Sequence, residues 1–193
     1  MKKFLLVAFV ALMASTNAKA QSHLYETTDE VSIAYGAGSC LQIIDDILTI
    51  FTLPTHDEYE SKRFIGPLSV EYFHHVNKVV SLGAVLSYSH SHRKVASSSK
   101  PSPTVKMDIY YLTLLPAVKF DWKRAESYGL YSKLAAGMSL AMGKFDSDKA
   151  NGTAFNFQVS LIGAEFGGSQ WRGFAELGFG EQGIICAGIR HKF

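Results

Sequence analysis

Alternation with a period of two, repeated in segment after segment, constrains this chain more than any other feature. In Val31-Ser32-Ile33-Ala34-Tyr35-Gly36-Ala37-Gly38 the odd positions are apolar and the even ones small or polar. Leu68, Val70 and Tyr72 alternate with Ser69 and Glu71. Val80, Leu82, Ala84, Leu86 and Tyr88 alternate with Ser81, Gly83, Val85, Ser87 and Ser89. Leu130, Leu134, Ala136, Met138, Leu140 and Met142 alternate with Tyr131, Lys133, Ala135, Gly137, Ser139 and Ala141, and Phe155, Phe157, Val159 and Leu161 with Asn156, Gln158 and Ser160. Successive side chains of a strand point to opposite faces, so each segment builds one greasy face and one small or polar face.

A soluble sandwich also alternates, and three further features separate the two cases. The second face is crowded with Gly, Ser and Ala and carries isolated charges (Glu71, Lys119, Lys133, Glu176, Arg190), which suits a narrow lumen; a face turned to water would hold many more Lys and Glu. The segments number eight, at roughly 31–40, 63–73, 78–90, 107–121, 127–143, 153–167, 170–181 and 183–193, and bacterial single-chain membrane barrels have even strand numbers from eight upward. The connections after the second, fourth and sixth segments are short, whereas those after the first and third are long, the pattern of short periplasmic turns and longer external loops. Aromatics agree: Tyr72, Phe73, Phe120, Trp122, Tyr128, Trp171 and Phe193 fall at one set of strand ends, and Tyr88, Tyr110, Phe145 and Phe155 near the other. The expected fold is all-β, an eight-stranded antiparallel up-and-down transmembrane β-barrel, monomeric, with five inward charges pairing among themselves.

The N-terminus reads as an export signal. Lys2 and Lys3 precede an apolar run from Phe4 to Met13, and Ala18-Lys19-Ala20 is an A-x-A cleavage site. The division is therefore 1–20 signal peptide and 21–193 barrel. Removing Lys2, Lys3 and Lys19 turns 19 basic against 17 acidic residues into 16 against 17, so the mature chain offers nucleic acid no electrostatic attraction. No later stretch is apolar enough for a transmembrane helix. No CxxC, HExxH or zinc-like spacing is present, and no cofactor or metal is expected.

The last segment carries a family resemblance. Ile185, Ala187, Ile189, His191 and Phe193 share one face and Phe193 ends the chain. Ile185, Ile189 and Phe193 look like the C-terminal signal read by the outer-membrane barrel-insertion machinery; His191 stands where an aromatic or apolar residue is usual. With Tyr110-Tyr111-Leu112-Thr113-Leu114-Leu115-Pro116 and Gly173-Phe174-Ala175-Glu176-Leu177-Gly178-Phe179-Gly180, the chain from Val31 resembles small Bacteroidetes-type outer-membrane barrels of the OmpA/OmpX-like class. The resemblance implies an outer-membrane location, with lipid and the insertion machinery as partners. It names an architecture and no activity.

Two segments break the alternation. Leu41, Ile44, Ile47, Leu48 and Phe51 lie on one side of a helical pattern over 41–53, ended by Pro54, which predicts a short amphipathic helix in the first external loop. His92 to Lys106, with Ser97-Ser98-Ser99 and Pro101-Ser102-Pro103, reads as an exposed second loop. Candidate chemistry is sparse. A lipid A deacylase or palmitoyltransferase of this size needs a His and a Ser near the outer leaflet, and Ser89-His90-Ser91-His92 is the place to look. Adjacent residues of a strand take opposite faces, which spoils a nucleophile–base hydrogen bond. His90 and His92 share a face but make only two ligands, too few for a strong metal site; His74 and His75 read as rim residues of a turn. Cys40 and Cys186 share the lumen face at the seam between the first and last strands and are candidates for a disulfide. The expected function is non-enzymatic, a structural or protein-interaction role exerted through the external loops. The alternatives are a lipid A-modifying enzyme, or a narrow pore for small or apolar solutes.

Overall fold

The computed structural model describes residues 29–43, 58–97, 105–145 and 148–193. The segment read as a signal peptide, residues 1–20, lies outside the described residues, as do positions 44–53 of the expected helix. Eight strands follow in chain order: β1 Asp29–Ala37, β2 Glu58–His75, β3 Val80–Ser97, β4 Val105–Arg124, β5 Tyr128–Phe145, β6 Asp148–Gly167, β7 Trp171–Gly180 and β8 Ile185–Lys192. Each pairs antiparallel with the next, and β8 returns to β1 with Glu30 opposite Lys192 and Ala37 opposite Ile185, closing the barrel. Over the span of the short strands β1, β7 and β8, closure removes the sheet edges that an open stack would leave.

The wall is inside out compared with a soluble barrel. Ile33, Leu86, Leu114, Met138 and Ile189 are half-exposed on the outer face, while Ser32, Glu71, Lys119, Lys133 and Arg190 are buried in the lumen. The alternation read from the sequence is this division. One aromatic departs from its expected band: Phe73 points into the lumen, where it joins Val85, Leu115, Ala117 and Ala135 in an apolar seam. At the end of β8, His191 stacks on Phe193 at 5.7 Å and meets Trp171 at a tilt of 56° and 4.5 Å, so an imidazole takes the place of the usual aromatic.

Bulges reset the phase at three places, in β2, in β4 between Asp121 and Lys123, and in β6. In β6 the register shifts between Ser160 and Ile162, so that Leu161 and Ile162 both lie on the outer face. Gln158 and Ser160 face the lumen below the bulge, Gly163 and Glu165 above it in sequence. In β2 a shift between Ile65 and Leu68 carries Gly66 and Pro67. Gly163 is needed because Tyr131 lies flat against it: a Cβ there would come within 2.4 Å of the phenol ring. The turn between β2 and β3 is fixed by Asn77, whose side-chain oxygen accepts from the amides of Val79 (2.9 Å) and Val80 (2.8 Å).

Strand lengths depart from expectation on one side of the barrel. β3 runs to Ser97 and β4 starts at Val105, so much of the segment read as a second loop, His92 to Lys106, is strand. β2 to β6 have 18–20 residues, against 9, 10 and 8 for β1, β7 and β8. A helical turn opens at Cys40 after β1, where Ser39 caps it: its hydroxyl accepts from the Gln42 amide at 3.2 Å and its carbonyl from the Ile43 amide at 2.9 Å.

Candidate functional site

Two regions concentrate polar chemistry: the lumen and the rim opposite the chain termini. All five charges read as inward-facing do lie in the lumen, fully buried. Lys133 Nζ sits 2.5 Å from Glu71 Oε1 and 2.9 Å from Glu176 Oε2. Arg190 reaches Glu71 Oε2 at 3.4 Å and Glu165 Oε2 at 2.8 Å, and its guanidinium stacks 4.4 Å over Phe174 and 4.9 Å over Tyr131. Tyr131 donates its hydroxyl to Glu176 at 2.8 Å. Lys119 differs from expectation: its partners are Glu30 and, at 3.6 Å, Asp121. Glu165 also holds Arg172 at 2.8 Å and Lys192. Low dielectric makes each unpaired charge expensive, and the alternation of acids and bases from seven strands offsets that cost.

At the turn end of the lumen, His75 and His74 diverge as adjacent strand residues must. His74 is outside, 3.0 Å from Asp29. His75 is not a rim residue: it is buried, with Nδ1 2.5 Å from Ser81 Oγ and 3.5 Å from Asp121, and Nε2 3.4 Å from Glu30 Oε2. At the other end the β7–β8 turn folds inward. Gln182 donates to Ser69 (2.8 Å) and Glu71 (2.7 Å), and Glu181 accepts from Ser87 (3.2 Å), Thr113 (3.1 Å) and Asn156 (2.5 Å) on the far walls. Gly36 makes room for this turn, since a Cβ there would fall 1.8 Å from the Gln182 carbonyl oxygen. The turn and the ion pairs beneath it occupy the lumen with bonded side chains.

On the outer face near the rim, His90 and His92 converge on Asp108. His92 Nδ1 is 2.5 Å and His90 Nε2 3.4 Å from the same carboxylate oxygen, and His90 stacks face to face on Tyr110 at 4.4 Å. The hydrogen bond from His92 holds the Asp108 carboxyl below its usual range. Ser89 and Ser91 are buried on the opposite, lumen face, so the Ser–His pairing a hydrolase needs does not form here. Among the described residues no group of three or more His, Cys, Asp or Glu side chains is arranged to hold a metal ion. Cys40 and Cys186 are free thiols: the register sets Cys186 opposite Gly36, so Cys40 lies beyond it along the chain past the end of β1.

No protein-family model matches the sequence, and neither does any curated protein. Among solved structures, two crystal structures of Ail, the attachment invasion locus protein of Yersinia pestis, align with 86% of this chain and 95% of theirs at 15% identity. Their TM-scores are 0.39 and 0.38, the second being a complex with the heparin analogue sucrose octasulfate.

Proposed function

We propose that this protein is an outer-membrane barrel with a closed lumen and no enzymatic activity, working through protein contacts on the sheet that projects past the bilayer. The observation that carries this reading is the uneven wall. At ~3.3 Å per residue and a tilt of ~40°, the strands of 8–10 residues rise ~20–25 Å, about the height of an outer-membrane apolar band. The strands of 18–20 residues rise ~45–50 Å, so half of their length stands clear of it. Over that half, the side of β2 at 58–67 has no β1 partner and the side of β6 at 148–157 has no β7 partner among the described residues. Unpaired strand edges bind extended segments by adding a strand. The apolar outer face supports a bilayer location, and the signal-like residues 1–20 support export. The finer likeness to Bacteroidetes-type barrels rests on the motif segments at 110–116 and 173–180.

A filled lumen speaks against the pore, and the opposed faces of Ser89 and His90 speak against a lipid A-modifying enzyme. Three measurements test the reading. Planar bilayers should show no unitary conductance steps; steady steps would transfer the protein to the pore class. Incubation with lipid A should release no fatty acid and attach none. A photo-crosslinking residue at Asn151, on the free side of β6, should capture protein on intact cells, while one at Leu114, two rows deeper in the apolar belt, should capture lipid. Protein adducts at Leu114 and none at Asn151 would overturn the proposal.

A further inference from the structure

Among the described residues, every buried carboxylate of the lumen but one has a cation beside it. Glu30, Glu71, Asp121, Glu165 and Glu176 each lie 3.6 Å or less from a Lys or Arg. Glu181, fully buried on the β7–β8 turn, has none. Neutral donors meet it instead: Ser87 from β3, Thr113 from β4 and Asn156 from β6, with Ser139 of β5 joining Thr113 (2.6 Å) to Asn156 (2.9 Å). The titratable groups around the turn are acids as well. Tyr111 shares the lumen face one row farther out on β4, Gln182 leads inward to Glu71, and Cys186 lies on β8. After β1 comes the Cys40 thiol, raised by burial first and by the charge of Glu181 second. The deeper cations, Lys133 and Arg190, are held by Glu71, Glu165 and Glu176. A carboxylate buried without a cation bears the full cost of its desolvation. Burial accordingly pushes the Glu181 carboxyl above its usual range, against the pull of its three hydrogen bonds.

The seat around Glu181 suits a carboxyl and survives its departure. A hydroxyl can donate to a carboxylate or accept from a carboxyl, and the bonds of Ser139 to Thr113 and Asn156 stay closed with the acid gone. Gly180 and Gly183 bracket Glu181 and Gln182 at φ +136° and +98°, at the outward end of β7 and β8. We propose that Glu181 is a proton-operated latch: the carboxyl seats the β7–β8 turn in the lumen, and the carboxylate releases it outward. A raised acid contributes seating that is present in full below the ordinary Glu value and is lost as pH rises through the raised one. Each unit by which the seated carboxyl is raised multiplies the released fraction about tenfold on ionisation. Cys186 reports the release. Gly36 lies directly opposite it in register and against the Gln182 carbonyl, so the seated turn covers the thiol. The latch governs access to the lumen and is independent of the protein contacts assigned to the strand edges.

The test uses the mature chain carrying Cys40→Ser, which leaves Cys186 as its one thiol, refolded in phosphatidylcholine nanodiscs and checked by heat-modifiable migration. Infrared spectra should show a protonated-carboxyl band that persists above the ordinary Glu value of ~4.3 and is missing from Glu181→Gln. Thr113→Val withdraws a donor from the ionised form, so the band should persist to higher pH still. A small neutral methanethiosulfonate should modify Cys186 faster as the band disappears. Divided by the rate for Glu181→Gln at the same pH, which removes the thiol's own ionisation, the rate should rise about tenfold or more. Where Glu181→Gln does not refold, Thr113→Val takes its place: the midpoints of band and labelling should both move upward together. A band lost within the ordinary Glu range, a labelling ratio that stays flat across the titration, or a Thr113→Val midpoint equal to the wild type's would each overturn the proposal.

Discussion

Replacing Glu71 by Gln keeps the shape of the side chain and removes one charge from the centre of the lumen. Its carboxylate takes Lys133 at 2.5 Å, Arg190 at 3.4 Å, Ser32 at 2.9 Å and Gln182 at 2.7 Å, so all its acceptor positions are used. An amide can serve Ser32 but offers Lys133 and Arg190 no charge. Breaking a buried ion pair from one side costs about 3–5 kcal/mol. Here Lys133 keeps Glu176 at 2.9 Å and Arg190 keeps Glu165 at 2.8 Å, which places the loss at the low end, about 3 kcal/mol. At ~2–4 °C per kcal/mol for a chain of this size, the detergent-folded barrel should melt ~6–12 °C lower, read by circular dichroism and by heat-modifiable migration. Adding Lys133→Met removes the opposite charge, so the double variant should lose less than the sum of the singles by at least ~1 kcal/mol. A Glu71→Gln barrel melting within ~1 °C of the wild type, or strictly additive losses, would refute the coupled-lumen argument.

The outer wall predicts that Met138→Arg, half-exposed in the apolar belt, costs ~2–4 kcal/mol in lipid. Gly137→Ala should also impair folding, because a Cβ there would lie 2.1 Å from the Leu114 carbonyl oxygen of the neighbouring strand; normal refolding yields for both would contradict the strand phasing. Denatured, unreduced protein should label at two thiols per chain, and fewer would reinstate a Cys40–Cys186 bridge. The lowered carboxyl of Asp108 means that its tie to His92 is present above the ordinary Asp range and is lost as pH falls through the lowered value. The His92 ring resonances should report that loss, and Asp108→Asn should remove the acid step from them.

How much of this was legible in the sequence depends on what alternation measures. A period of two records that one face is apolar and the other is not, which holds only while the strand crosses the bilayer. The hydrogen-bonded ladder of β3 and β4 continues past it, pairing Arg93 with Met107 and Val95 with Val105, but beyond the belt both faces carry polar residues. The pattern therefore fades, and 92–106 reads as loop. The same reasoning explains which lumen residues were found. Glu71, Lys119, Lys133, Glu176 and Arg190 lie on stretches whose parity runs unbroken from an apolar neighbour. Glu165 lies past the bulge at Leu161 and Ile162, which silently exchanges the faces. Glu30 precedes Val31, the first clearly apolar position, and so falls outside the segment although it shares the parity of Ser32.

The inward turn was hidden for a different reason. The alternation carries the seventh segment to Glu181, whereas Glu181 and Gln182 belong to no strand, so no periodicity points them inward. What turns them inward is the short length of β7 and β8. With 10 and 8 residues these strands end level with Ser87, Thr113 and Asn156, midway up their taller neighbours. A turn at that height has the wall of the barrel facing it, and side chains on it can reach hydroxyl and amide donors across the lumen. Gly180 and Gly183, at φ +136° and +98°, supply the backbone conformations that other residues rarely adopt. The uneven wall thus does two things through one cause. Shortening β7, β8 and β1 drops a polar stopper into the lumen, and among the described residues it leaves the outer parts of β2 and β6 with one strand neighbour each instead of two. A barrel with eight equal strands would have neither, so the closed lumen and the free strand edges should be gained or lost together.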